Sequence, residues 1–256
     1  MAAISNLHEI YPKDRRATAP LGIRVDDLVL ADRLDARDPV TGEVEGDLEQ
    51  QAATCYQKMA ALLEGAGGGI DNVGKATAYV GVIEDREPVN GQFWEAVFPI
   101  REDRPAYKVL LAKMPPGVLV QLDVVGILGG RRTRIDIPGV PARDPTITIG
   151  EMIFSSRCHG VDGATGELVD GGLPAQAAQT FKNLRSLTVA AGGQPSDIVQ
   201  LNAYGKTEAY AAPTQAAFVA AFADLEHPPV LHTFVNHITA RFEISVEMVA
   251  VRGGGR

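Results

Sequence analysis

The sequence predicts an α+β fold built from two tandem copies of one unit, and two observations carry this prediction. Short segments of the first half recur in order in the second: Thr41-Gly42-Glu43 matches Thr165-Gly166-Glu167, and Ala78-Tyr79 matches Ala203-Tyr204. Each half also alternates short apolar runs, which are typical of strands, with two segments of helical periodicity. Because the matches keep their register over more than about a hundred residues, with slips of one residue, we interpret the chain as an internal duplication.

Each copy begins with a short strand, at 28–30 in the first copy and 152–154 in the second, followed by the Thr-Gly-Glu turn. A helix comes next, because apolar residues recur every three to four positions and form one buried stripe. The stripe consists of Ala52, Tyr56, Met59, Leu62 and Leu63 in the first copy, and of Ala177, Phe181, Leu184 and Leu187 in the second.

The remainder of each copy predicts a strand, a second helix and two closing strands. In the first copy the strands are 74–82, 107–112 and 118–128; in the second they are 199–205, 231–238 and 242–252. The second helix carries Val89, Phe93 and Val97 in the first copy, and Ala217, Phe218, Ala221 and Phe222 in the second. We expect each copy to end in an antiparallel pair and to place both helices on one face of a mixed sheet.

The domain boundaries follow from the repeat: a first unit over 1–128, a linker rich in proline, glycine and arginine over 129–145, and a second unit over 146–256. The arginines at 131, 132 and 134, at the start of the linker, are interpreted as part of a solvent-exposed connector or as a contact for a polyanion. The strand 119–127 is apolar on both of its alternating faces. One face can pack on helices, and the other needs a partner sheet from the sister repeat or from another chain.

Composition excludes several classes of protein. The net charge of −8 argues against nucleic acid as a partner, because phosphate binding requires clustered lysine and arginine. No apolar run approaches the roughly 20 residues of a membrane span, and the N-terminus lacks a signal-peptide pattern. Two distant cysteines fit neither a disulfide framework nor a metal site, and no phosphate-binding glycine motif occurs. We therefore expect a cytoplasmic protein without metal, cofactor or membrane contact.

Several motifs resemble a known family. In the second copy these are the run 162–169, Gln176, Asn183-Leu184 and Tyr204; in the first they are Thr41-Gly42-Glu43, Gln51, Val89-Asn90 and the run 111–117. In these residues the chain resembles the Rid/YjgF family of enamine/imine deaminases. The resemblance implies two chorismate-mutase-like units, a small-molecule substrate bound in clefts between units, no cofactor, and a homo-oligomer, with a trimer favoured and a dimer as the alternative.

The resemblance also implies roles for particular residues. The family glutamate that positions water corresponds to Glu247 in the second copy and to Asp123 in the first. The family asparagine on the second helix corresponds to Asn90, with Gln215 in the second copy. The family arginine that grips the substrate carboxylate is absent from its motif in both copies, which predicts that neither half has an unmodified 2-imino acid pocket.

The residues that stand in and near the arginine motif are substrate-binding candidates: Tyr107 and Lys108 in the first copy, and His232 in the second. Three further candidates, Arg157, Cys158 and His159, follow the first strand of the second copy. Arg157 is either a replacement for the arginine that binds the substrate anion or a surface charge. Neighbouring strand residues point apart, so Cys158 and His159 are candidate pocket liners rather than a nucleophile pair. Aligned by sequence, Asp32 stands opposite Arg157, and Arg33 opposite Cys158.

Glu247 lies in an apolar strand, where a buried carboxyl would have a raised pKa and could move protons or orient water. The alternative for Glu247 is a charge on an edge strand that faces solvent, and the same two readings apply to Asp123. We expect a cofactor-independent hydrolase acting on an enamine, imine or related C–N bond. The alternative is a divergent ligand-binding or lyase-type, chorismatase-like protein without deaminase activity.

Overall fold

The computed structural model describes residues 6–14, 16–136, 146–239 and 241–254. The chain divides into two compact units, Met1–Arg132 and Thr133–Arg256. Each unit contains one six-stranded mixed sheet with helices packed against it, as the α+β prediction requires.

In the first unit the strands are β1 (Leu7–Ile10), β2 (Gly22–Val25), β3 (Leu28–Leu34), β4 (Val73–Val80), β5 (Ala106–Leu111) and β6 (Val120–Ile127). Helix α1 spans Leu48–Gly65 and follows β3; helix α2 precedes β5 and consists of Arg86–Pro88, a π-helical turn Val89–Phe93 and Trp94–Val97. The strand order is β1-β2-β3-β6-β4-β5. The predicted elements of this unit are therefore present, and β1 and β2 are additional strands that the sequence did not predict.

The second unit repeats this plan with β7 (Thr133–Ile135), β8 (Thr146–Ile149), β9 (Met152–Ser155), β10 (Ile198–Gly205), β11 (Val230–Val235) and β12 (Ile244–Val251). Helix α3 spans Gly172–Ala190 and helix α4 spans Ala211–Ala221. The strand order β11-β10-β12-β9-β8-β7 is that of the first unit read from the other end.

The predicted antiparallel pair at the end of each copy is wrong. Strand β5 pairs in parallel with β4, and β6 lies between β3 and β4, antiparallel to both. The reason is that β4 and β5 are joined through helix α2, and a crossover of this kind returns the chain parallel to the strand it left. The second unit does the same with β10, β11 and β12.

Helix α1 shows how local sequence positions the core. Its N-terminus is fixed by a capping box, in which Asp47 accepts from the Gln50 backbone N–H and the Gln50 side chain accepts from that of Asp47. Its predicted apolar stripe is buried against β3 and β6. This covers one face of the sheet and leaves the other face for the polar residues of the site.

The segment predicted as a linker is described in part. Thr133–Ile135 forms strand β7, which pairs with β8, whereas residues 137–145 lie outside the described residues. Arg132 is not the solvated connector that the sequence suggested, because it is only 8% exposed. Its guanidinium donates to the backbone oxygens of Asp103, Ile70 and Val73 and forms an ion pair with the Asp103 carboxylate at 3.0 Å. These contacts of Arg132 hold the C-terminal end of the first unit against other residues of the same unit.

Among the described residues, every helix is too short or too polar to span a lipid bilayer.

Candidate functional site

Asp123 and Glu247 occupy equivalent positions in the two sheets. Asp123 on β6 is directly opposite Thr77 on β4, and Glu247 on β12 is directly opposite Asn202 on β10. Both strands lie inside their sheets, with neighbours on each side. The alternative of an edge-strand charge is therefore wrong for both residues, and each carboxyl faces away from the helices because its sequence neighbours pack in the core.

Glu247 is 1% exposed and is held by two side chains from strand β10. Its Oε1 accepts hydrogen bonds from the Tyr204 hydroxyl and from Asn202 Nδ2, both at 2.9 Å. A buried carboxyl requires such partners, because burial without hydrogen bonds is costly for a polar group. The two donors fix where this carboxyl group lies.

Asp123 is held in a related way, with a shorter side chain. Its Oδ2 accepts from the Tyr79 hydroxyl at 2.6 Å, and its Oδ1 accepts from the Arg33 backbone N–H at 2.8 Å. Burial raises the pKa of the Asp123 carboxyl and the neighbouring Asp32 adds to this, while the hydrogen bonds from Tyr79 and Arg33 oppose the increase. The Asp123 carboxyl is thus a group whose proton is easier to retain than that of an ordinary aspartate.

A bulge lies in β3 of the first unit, and an equivalent bulge follows β9 in the second. Each bulge places an arginine beside the tyrosine that donates to the carboxylate. Between Ala31 and Leu34 the pairing of β3 with β6 shifts by one residue, and the bridge from Cys158 to Val246 is the equivalent of the Leu34–Leu122 pair. Arg33 and Arg157 directly precede these bridging residues, so they are structural equivalents. The sequence alignment that placed Asp32 opposite Arg157 is wrong by one residue.

These two arginines lie over the equivalent tyrosine rings. The guanidinium carbon of Arg33 is 3.5 Å from the centroid of Tyr79, and that of Arg157 is 5.1 Å from the centroid of Tyr204. Arg157 also donates from Nη1 to the backbone oxygen of His237 at 3.1 Å. Each unit therefore assembles an arginine, a tyrosine and a carboxylate from three different strand segments.

A basic residue on the edge strand completes each set. Lys108 on β5 is opposite Thr77, and His232 on β11 is opposite Asn202, so each lies on the same sheet face as the carboxylate. Lys108 is 6% exposed, whereas His232 is exposed. The register makes Lys108 and His232 equivalents of each other, as their places in the two motif segments indicate.

Tyr107 and Cys158, two predicted binding residues, lie on the opposite face. The Tyr107 ring stacks on Trp94 with centroids 3.8 Å apart, and its hydroxyl donates to the backbone oxygen of Val89. Cys158 belongs to the helix-facing core of the second unit, and burial raises the pKa of its thiol to about 12. Both are corrections to the sequence prediction, and alternation along the strand is their cause.

His159 has a structural role as well. Its ring stacks on Phe242 with centroids 3.8 Å apart, and Nδ1 lies 3.3 Å from the backbone oxygen of Ile244. Burial lowers the pKa of His159 to about 4, so its neutral form predominates at pH 7. Asn90 lies half-buried in the π-helical turn of α2, a type of irregularity that is common at functional sites.

The residues that sequence reasoning missed are Tyr79, Tyr204, Asn202 and Arg33. A signal for the tyrosines was present, because Ala78-Tyr79 and Ala203-Tyr204 match across the repeat. In the part of the chain that the structure describes, no group of three or more His, Cys, Asp or Glu residues could hold a metal ion.

Comparison with known proteins gives consistent relatives. The profile of the family described as Endoribonuclease L-PSP matches residues 143–252. A RutC family protein of Synechocystis sp. is 36% identical over 99 residues, covering 36% of this chain and 72% of the relative. Another, of Pyrococcus abyssi, is 28% identical over 116 residues, covering 43% and 90%. The crystal structure of RidA from Psychrobacter sp. is 25% identical with a TM-score of 0.42, covering 47% of this chain and 99% of that one.

Proposed function

The chain belongs to the Rid/YjgF family, and from that premise we propose that it is a cofactor-independent hydrolase of an enamine or imine of a small metabolite. The observation that carries this proposal is the tyrosine–carboxylate pair present in both units, Tyr204 with Glu247 and Tyr79 with Asp123. A carboxyl held in a fixed position beside a sheet face is suited to orient a water molecule and take its proton.

The reaction needs only water and proton transfer. The water oxygen bonds to the imine carbon while its proton passes to Glu247, and the same proton then reaches the nitrogen. The C–N bond breaks with its electron pair on nitrogen, and the proton of the newly formed hydroxyl group passes by way of Glu247 to the departing ammonia. A protonated imine and one water thus give a carbonyl compound and ammonium. No group is oxidised or reduced. The hydrogen bonds from Tyr204 and Asn202 orient Glu247 for both transfers.

Binding of the substrate anion is assigned to the arginines of the two bulges. Arg157 lies against the ring of Tyr204, and the hydroxyl of the same tyrosine donates to Glu247. This position supports a role for Arg157 in binding the substrate carboxylate, in place of the arginine missing from the family motif. Arg33 has the equivalent place in the first unit. Lys108 and His232 extend each site along the edge strand.

We also propose that the chain forms a homo-oligomer in the cytoplasm, a trimer rather than a dimer. Family membership supports this, because proteins of the Rid/YjgF family are often oligomeric, and the resemblance implies a trimer. Sedimentation of the purified protein tests the assembly directly. A single species of monomer mass would rule it out.

A ligand-binding or lyase-type protein of the same fold, without hydrolysis, is the second candidate. This second candidate is favoured by the absence of the family arginine from its motif, where the chain has Leu231 and His232. An altered anion site accepts a different ligand.

The two candidates are separated by feeding the protein imines formed in situ by an amino-acid oxidase and measuring the release of ammonia and keto acid. Hydrolysis predicts release faster than in buffer, and its loss in the near-isosteric Glu247→Gln. Glu243→Gln is the matched control, because Glu243 is an exposed glutamate whose carboxylate pairs with Lys206. Release no faster than in buffer across aliphatic and aromatic imines would reject the hydrolase.

A further inference from the structure

The edge of the second unit carries a row of rings beside the carboxylate. The rings of Tyr204 and Phe234 stack with centroids 5.5 Å apart and an interplanar angle of 22°, and His232 is 6.4 Å from Phe234. The parallel register of β10 and β11 sets Tyr204 opposite Phe234 and Asn202 opposite His232. All four side chains therefore share the sheet face that carries Glu247.

Phe234 presents part of this row to the outside, because it is 46% exposed although it stacks on a buried tyrosine. An exposed phenylalanine beside polar groups offers a flat apolar surface on which another planar group can stack. The neighbouring Val230 on the same face of β11 is also exposed, at 57%. Together they form an apolar border on the outer side of the site.

Tyr204 connects this surface to the two charged groups. Its ring contacts Phe234 on one side and the Arg157 guanidinium at 5.1 Å, and its hydroxyl bonds Glu247. Tyr204 therefore contacts the aromatic surface, the cation and the carboxyl group together.

The first unit lacks this surface. The residue opposite Tyr79 is Leu110, the equivalent of Phe234, and it is only 7% exposed. Lys108 stands where the second unit has His232. The chain itself thus provides the natural comparison, in which an aromatic edge is replaced by an aliphatic one on the same scaffold.

We propose that the second-unit site is selective for imino or enamino acids with a planar aromatic side chain. The substrate ring stacks on Phe234, its carboxylate is bound by Arg157, and its imine carbon lies towards Glu247. This selectivity rests on the proposed hydrolase function and adds the class of side chain to it. The reaction is the hydrolysis already written, with one water consumed and one ammonium released.

The test replaces Phe234 by the residue that the first unit has at that place. Phe234→Leu keeps an apolar side chain on the strand, and Val219→Ala is the control, since Val219 is exposed at 58% on helix α4. Imines of phenylalanine and of alanine are generated in situ, and kcat/KM is measured for both. We expect Phe234→Leu to lower the value for the aromatic imine about three- to tenfold, with the alanine-derived value and the control unchanged.

The outcomes separate the two proposals. If neither imine is hydrolysed by the unmodified protein, the hydrolase proposal is rejected and the selectivity with it. If both imines are hydrolysed and Phe234→Leu leaves their ratio unchanged, the aromatic selectivity is wrong while the hydrolase stands. If sedimentation shows that Phe234→Leu changes the assembly and lowers both rates equally, β11 is a subunit contact, and the selectivity is again wrong.

Discussion

The two units hold their carboxylates with one shared donor and one that differs. In both, a tyrosine from the neighbouring strand donates to the carboxylate, but the second donor is the Arg33 backbone N–H for Asp123 and the Asn202 side chain for Glu247. The shorter side chain of Asp123 accepts a hydrogen bond from the backbone of the β3 bulge, and the longer side chain of Glu247 accepts one from Asn202 on β10. The two copies thus kept a tyrosine–carboxylate pair after the duplication, while the groups around it diverged.

The charges near the two carboxylates differ as well. Around Asp123 lie Asp32, which adds to its raised pKa, and Arg33, whose Nε is 3.9 Å from Oδ1. Glu247 has the longer side chain and is oriented by two side-chain donors, Tyr204 and Asn202. We therefore expect the second unit to carry most of the hydrolysis.

The largest expected effect separates the units directly. Glu247→Gln removes a proton acceptor and should lower kcat by a factor of about 10²–10⁴. Asp123→Asn should lower it by less than about twofold, because we expect the first unit to contribute little to the hydrolysis. Steady-state ammonia release from imines measures both. Equal losses in the two variants would contradict the division of labour between the units.

The tyrosines come next. Tyr204→Phe removes one of two donors that orient Glu247, so we expect kcat to fall about tenfold with little change in KM. Tyr79→Phe should leave kcat unchanged. In each variant the lost hydrogen bond should reduce the free energy of unfolding by about 0.5–1.5 kcal/mol, measured by urea denaturation. A Tyr204→Phe enzyme that raises KM alone would assign this tyrosine to binding rather than to orientation.

Within the first unit, the pKa values of Asp123 and Asp38 are shifted in opposite directions. Burial raises the pKa of Asp123 above the ordinary 3.8, whereas backbone hydrogen bonds from Thr41 and Val40 lower that of the exposed Asp38 below 3.8. Carboxyl carbon NMR titration should therefore show Asp123 deprotonating at higher pH than Asp38.

The raised pKa of Asp123 makes the stability of the fold depend on pH. Since the folded pKa of Asp123 lies above its unfolded value, the contribution of this group is fully present below pH 3.8 and is lost as pH rises through the folded value. Asp32→Asn removes one cause of the increase and should bring the pKa of Asp123 down. An Asp123 that titrates with or below Asp38 would mean that solvent or Arg33 outweighs burial.

The smallest effect concerns the two cysteines, one in each unit. Burial raises the pKa of both Cys55 and Cys158 to about 12, so neither thiol should react with iodoacetamide at pH 8 in the folded protein. Cys158→Ala should retain full activity. Mass spectrometry after alkylation with and without denaturant checks this, and rapid alkylation of folded Cys158 would place that thiol on the accessible face.

Much of the fold was predictable, because the buried apolar stripes of helices α1 and α3 are visible in the sequence. The repeat also gave two independent copies of each strand and helix pattern. The strands β1, β2, β7 and β8 were not predicted; β1 is mostly exposed, and β7 is three residues long. The strand pairing was also missed. Which strand lies beside β4 depends on the path of the chain around α2, and periodicity carries no information on that path.

The sequence predicted Asp123, Glu247, Arg157, Lys108 and His232 as candidates, but it did not predict the side chains that hold the two carboxylates. Asn202 and Tyr204 reach Glu247 across a pairing of distant segments, so no local pattern connects them. The equivalence of Arg33 and Arg157 was hidden because each bulge adds one residue to its strand, and an alignment by sequence placed the gap at the wrong position. Tyr107 and Lys108 show the same limit, since adjacent residues of β5 serve opposite faces of the sheet.

The position of β6 and β12 has a consequence for biosynthesis. In each unit the last strand in the chain occupies the interior of the sheet, between strands that are made earlier. As the chain leaves the ribosome, β3 and β4 therefore have no common neighbour until that final strand emerges. Because the same strand carries the carboxyl group, the nascent unit completes its architecture and its chemistry in one step, and a chain stopped before β12 has neither in the second unit.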